Sequence, residues 1–146
     1  MMNLVREFFE NLTALGSMIF HGIALVFLLF IDFTLFLKLL IALGISTVIV
    51  ATIRFFYFKY RPLDKEKPKK FLHRLNASSF PSLHAPNSII FALIVGLTLS
   101  TGLFVLLLIL TVLIIYSRYY LKKHFIIDLA VGSVLGMIIG LIVALY

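Results

Sequence analysis

Residues Phe125 to Tyr146 read FIIDLAVGSVLGMIIGLIVALY. The one charge, Asp128, stands near the start, and everything after it is apolar or small. About 20 such residues carry an α-helix across a bilayer. A barrel strand would alternate apolar and polar residues, and this run does not, so a membrane helix is the sensible assignment. Working outward, comparable runs occupy Leu103 to Tyr116 or slightly beyond, Ala85 to Leu99, Phe33 to Phe58 and Leu15 to Ile31. The breaks fall at Asp32, a polar loop from Tyr60 to Ser79, Ser100-Thr101-Gly102, and a basic loop from Tyr119 to His124. The expected fold is therefore all-α: an integral membrane helical bundle forming a single domain over residues 1–146. Its spans are placed at about 15–31, 33–58, 85–99, 103–118 and 125–146, with a catalytic loop at 60–84.

The segment before the first span differs. Leu4, Val5, Phe8, Phe9 and Leu12 recur near helical spacing, with Arg6, Glu7, Glu10 and Asn11 between them. That pattern predicts an amphipathic helix over residues 1–14, lying at the membrane surface. The plainer alternative is a frayed polar terminus. A signal peptide is not expected, because the segment carries acidic as well as basic residues and leads straight into further membrane sequence.

Composition agrees. Of 146 residues 62% are hydrophobic, and the mean hydropathy is +1.15. Soluble domains are about half apolar. There is no cysteine, which excludes disulfides and thiolate metal sites. There is no tryptophan, so tyrosine and phenylalanine must serve at the interfaces. The formal charge of +7 sits in short segments between apolar runs. Anionic head groups or phosphorylated substrates therefore suit it better than nucleic acid.

The informative residues are the ionisable ones at span ends: Arg54, Arg61, His84, Arg118, His124 and Asp128. With strict alternation of five spans, all six fall on one side of the membrane. Charges inside a bilayer are costly, so such clustering points to function. Arginines offer a rigid fork of donors that fits phosphate oxygens. One histidine can attack phosphorus and the other can protonate the leaving oxygen. A carboxylate can hold a nucleophilic imidazole in one tautomer. His124 and Asp128 are four apart, so a helix would put them on one face, with Asp128 holding one ring nitrogen and the other facing substrate.

Three stretches then resemble a known family. Ser117-Arg118 through His124 to Asp128 matches SR-x5-H-x3-D in full. Phe80-Pro81-Ser82-Leu83-His84 is similar to a Pro-Ser-Gly-His motif, and Arg54 with Arg61-Pro62 is similar to a K-x6-RP motif. In that order they resemble the signature of the type-2 phosphatidic acid phosphatase family, related to the vanadium haloperoxidases. The resemblance runs from about Leu12 to the C-terminus. It implies His124 as nucleophile, Asp128 as its orienting partner and His84 as general acid. Arg54, Arg61 and Arg118 would hold phosphate oxygens, with Ser82 and the backbone N–H of Leu83 as further donors. No metal and no cofactor is implied.

The chain departs from the pattern at three points. Arg54 replaces lysine, with Lys59 the substitute if the register is otherwise. Leu83 replaces glycine. Five spans are counted where membrane relatives commonly have six.

The implied activity is hydrolysis of a lipid phosphate monoester or diphosphate through a phosphohistidine. Either a glycerolipid phosphate or a polyprenyl diphosphate would suit, and Ser78-Ser79-Phe80 is slightly similar to the polyprenyl members. The competing class is a non-enzymatic lipid-binding protein, which would need a broken nucleophile. Other residues have plainer readings. His21 is expected to be packed or hydrogen-bonded, and His73 and Lys65 to Lys70 to be a solvated or head-group-facing loop. Gly132, Gly136 and Gly140 are expected to permit close helix packing. The positive-inside rule would put the basic side in the cytoplasm. Many prokaryotic members of the family work on the outer face, and that is the expectation adopted for this chain in a prokaryotic cell membrane.

Overall fold

The computed structural model describes residues 2–63 and 71–146. The expectations for Lys65 to Lys70 lie outside the described residues. Helices run α1 Met2–Ala14, α2 Met18–Ile31, α3 Phe33–Phe56, α4 Phe71–Ala77 and α5 His84–Phe91. After α5 come a π-helical turn Ala92–Gly96, a short α6 Leu97–Leu99, then α7 Thr101–Tyr120 and α8 Ile126–Leu145. The chain is an all-helical integral membrane protein.

The breaks are made by small polar residues with capping chemistry. Ser17 caps α2, its hydroxyl accepting from Phe20 N at 3.2 Å. Asp32 does two jobs: its N–H closes α2 on Leu28 O, and its carboxylate caps α3 at Leu35 N. The turn between α2 and α3 thus shrinks to one residue. Ser100 does the same between α6 and α7, its N–H on Gly96 O and its hydroxyl on Leu103 N. Each cap satisfies helix-end groups that lipid could not.

Helices α3, α7 and α8 have 24, 20 and 20 residues and are long and apolar enough to cross a membrane. Helix α2 has only 14 residues, about 21 Å of rise. It qualifies only together with α1, from which it bends by 44°. The expected first span at 15–31 thus corresponds to α2, the second helix of a bent pair. Residues His84–Leu99 form a shorter apolar helix. The expected loop at 60–84 contains α4. On α1, Leu4, Val5 and Phe8 are exposed, while Phe9 packs its ring on Tyr116 and Tyr120 of α7.

The core lies where α3, α5 and α8 meet, around Leu35, Leu39, Ile90, Ile94 and Ile139. Glycines set the separation of α5 and α8. A Cβ at Gly136 would lie 2.6 Å from Pro86 Cα, and one at Gly132 would lie 2.8 Å from Ser82 O. The close packing expected of these glycines is therefore present, and it brings the start of α5 against the start of α8. His21 is buried, with Nδ1 2.7 Å from Ser17 O.

Candidate active site

Arg54, Arg61, Leu83, His84, Arg118 and His124 line one cavity of about 170 Å³, together with Gly16, Met18 and Asn76. Helix α3 brings Arg54 from its last turn, α5 brings His84 as its first residue, and α7 brings Arg118 from its last turn. Five of the six ionisable residues singled out from the sequence therefore share one pocket. Asp128 is buried behind them.

Each arginine is held by the chain. Arg54 donates from Nε and Nη2 to Pro81 O, at 3.2 and 2.7 Å, and from Nη1 to Leu75 O at 3.1 Å. Arg61 Nη2 donates to Asn76 O at 2.6 Å. Arg118 Nη1 donates to Thr13 Oγ1 at 3.1 Å. Among the described residues, five buried side-chain polar atoms have no hydrogen-bond partner within the protein: Arg61 Nε and Arg118 Nε, on side chains that line the pocket, and Ser82 Oγ, His21 Nε2 and Ser88 Oγ outside its lining. Buried polar atoms are normally paired, so donors concentrated round a pocket suit an oxygen-rich ligand.

The surroundings of His124 differ from expectation. Helix α8 begins at Ile126, so His124 precedes it and does not share a helical face with Asp128. Its Nδ1 lies 2.7 Å from Ser79 O and 4.0 Å from Asp128 Oδ2. A carbonyl can only accept, so Nδ1 carries the proton and Nε2 keeps its lone pair. The tautomer partner is thus the Ser79 backbone. Ser79 is itself fixed by the irregular segment after α3: its N–H donates to Lys59 O and its hydroxyl to Tyr60 O. Burial first, then the positive charge of Arg118, push His124 down to about 3; the Ser79 carbonyl pushes upward, and Arg54 and Arg61 add smaller downward pushes. The imidazole is therefore neutral at physiological pH.

Asp128 has other partners. Its Oδ1 accepts from Lys59 Nζ at 2.6 Å, and its Oδ2 from Phe125 N at 2.9 Å. Its backbone carbonyl accepts from Ser82 N at 3.0 Å. Through its carboxylate and its backbone carbonyl together, Asp128 thus ties together the three stretches singled out in the sequence. Lys59, considered as a substitute for Arg54, is occupied here and also lies 4.6 Å from the Phe125 ring centroid. Arg54 is the one that lines the cavity. The Ser82 backbone N–H is taken up by the Asp128 carbonyl, while its hydroxyl has no partner within the protein among the described residues. Thr13, Gly16, Met18, Asn76 and the Ser79 carbonyl carried no signal in the sequence reading.

The family profile of the PAP2 superfamily matches residues 35–146, and the chain belongs to that superfamily. It is a membrane phosphatase. Among solved structures it is similar to LpxE from Aquifex aeolicus: 27% identity, TM-score 0.83, with 98% of this chain and 87% of that one covered. It also shares its fold with the PAP2-type phosphatidylglycerolphosphate phosphatase of Bacillus subtilis, at 21% identity and TM-score 0.79, covering 96% and 75%. No curated protein matches the sequence.

Proposed function

We propose that this phosphatase hydrolyses a phosphate monoester or diphosphate carried by a lipid, through a phosphohistidine at His124. The observation that carries the reading is the donation of Nδ1–H to Ser79 O beside a pocket walled by three guanidinium groups and His84. Nε2 of His124 attacks phosphorus. The bond to the lipid oxygen breaks, and His84, entering the step as an imidazolium beside the bound phosphate dianion, gives that oxygen its proton. Water then attacks the phosphorus, returning a proton to His84, and the N–P bond breaks to release phosphate. Arg54, Arg61 and Arg118 balance the charge on the equatorial oxygens, work that a metal ion does in other phosphatases. Leu83 lines the same pocket at the start of α5, where its N–H would add a donor for the anion. Asp128, at 4.0 Å, favours the positive charge that the phosphorylated ring carries.

A lipid substrate is supported by what adjoins the pocket. A groove of about 880 Å³ shares His124 with it and is lined by Leu63, Tyr119, Phe125, Ile126 and Ile127, all well exposed. Such an apolar approach suits a chain arriving from the bilayer. The site is assigned to the outer face of a prokaryotic cell membrane.

The test is phosphate release by the detergent-purified protein from a panel of glycerolipid phosphates and polyprenyl diphosphates, with excess chelator present. Release is expected, with inhibition by vanadate and none at all from His124→Ala. Turnover of a soluble phosphomonoester with no release from any lipid would overturn the lipid assignment. Wild-type rates in His124→Ala would overturn the mechanism.

A further inference from the structure

The family match begins at residue 35, yet part of the pocket wall lies before it. Gly16 sits at the elbow between α1 and α2. A Cβ there would lie 2.6 Å from Ile114 Cγ2 and 3.1 Å from His84 Cδ2, so the elbow presses directly on the pocket. One turn earlier, half-buried Thr13 accepts the hydrogen bond from Arg118 Nη1. Helix α1 is kept in place by Phe9, whose ring centroid is 5.6 Å from that of Tyr116 and 4.6 Å from that of Tyr120. Leu12 is buried beside this contact.

The chemistry of Arg118 gives this contact a consequence. Its guanidinium is planar with donors in fixed directions. Arg54 is tethered through three nitrogens to two backbone carbonyls. Among the described residues, the hydrogen bond of the Arg118 side chain goes to Thr13 alone, while its buried Nε has no protein partner. Because the group is planar, holding one nitrogen restricts where the others can point. We propose that Thr13 is a positioning residue of the active site. It holds the Arg118 guanidinium so that its remaining N–H groups face the pocket, which makes the N-terminal helix part of the phosphate-binding machinery. This rests on the assignment of Arg118 to phosphate in the preceding section.

Immobilising one long side chain on binding costs enough to change affinity about three- to tenfold. The test measures binding of inorganic vanadate to the detergent-purified full chain. Thr13→Val, which keeps the shape and removes the hydroxyl, should weaken binding about three- to tenfold. Thr13→Ala should do the same, and Thr13→Ser should bind as wild type does. In an Arg118→Ala background, Thr13→Val should have no further effect, a result that a merely structural role would not produce. Unchanged affinity in both Thr13→Val and Thr13→Ala, or a further loss in the Arg118→Ala background, would overturn the inference and leave the phosphatase reading standing. The Thr13 effect without hydrolysis of any lipid would strike only the lipid assignment. Failure of the wild type to bind vanadate would overturn both.

Discussion

His124 and Ser79 are joined by a hydrogen bond of 2.7 Å from the ring Nδ1 to a backbone carbonyl. A carbonyl in this place has a definite advantage over a carboxylate. It fixes the tautomer without adding charge, and no side-chain substitution can remove it. The Asp128 carboxylate, the nearest among the described residues, is left to act through its field and through its other hydrogen bonds.

Asp128→Asn should therefore cost less than loss of the carboxylate does in a triad whose tautomer depends on it, where the loss is about 10⁴-fold. A fall in kcat of about 10- to 100-fold is expected from the lost charge at 4.0 Å. Steady-state kinetics on folded variant checks this. A loss as large as that of His124→Ala would show that the carboxylate, and not Ser79, sets the tautomer.

Arg54 and Lys59 should separate cleanly. Arg54→Ala removes a cavity-lining charge and should lose most activity. Arg54→Lys should keep a substantial part, because it retains a positive charge at the cavity wall. Lys59→Ala instead leaves the buried Asp128 without its cation. Lys59 keeps 25% of its side chain exposed, so the stability cost should be about 1–3 kcal/mol, below that of a fully buried pair. Thermal unfolding in detergent, run beside the kinetics, distinguishes the two residues.

His124 should stay neutral in the free enzyme across the physiological range. Its folded value of about 3 lies below the ordinary 6.5, because burial and three arginines oppose the protonated form. Nucleophilicity is thus retained as pH falls from 8 to 5, and is lost only on approaching about 3. An NMR titration, with the His124 signal identified by its absence in His124→Gln, should show no midpoint between pH 5 and 8. A midpoint near 6.5 would contradict the burial.

Gly136→Ala should destabilise the bundle by about 1–3 kcal/mol, the usual range for overpacking. The new Cβ would meet Pro86 Cα at 2.6 Å and Pro86 O at 2.8 Å, and backbone atoms cannot turn aside. Gly44→Ala is the control, since nothing lies within 4 Å of a Cβ there. Equal unfolding temperatures for the two variants would argue against the close approach of α5 and α8.

Sidedness can be read with one cysteine, because the natural chain has none. Lys123 is exposed in the loop between α7 and α8. Lys123→Cys should react with a membrane-impermeant thiol reagent in intact cells if the site faces outward. Labelling only after lysis would place the site in the cytoplasm, as the count of basic residues alone suggests.

Much of this protein was legible in its sequence, for two reasons. Lipid forces long apolar runs into helices, so length and composition alone located α3, α7 and α8. Catalysis needs particular side chains, so Arg54, Arg61, His84, Arg118 and His124 stood out as ionisable residues at the ends of apolar runs. What only the tertiary structure decided is how those residues are held. The tautomer of His124 is set by the carbonyl of Ser79, and a backbone atom leaves no trace in side-chain identity. Asp128 pairs with Lys59 because α8 starts after His124, which removes the helical register that spacing alone suggested. Thr13 meets Arg118 across 105 positions of sequence, a contact that exists only once α1 has packed on α7.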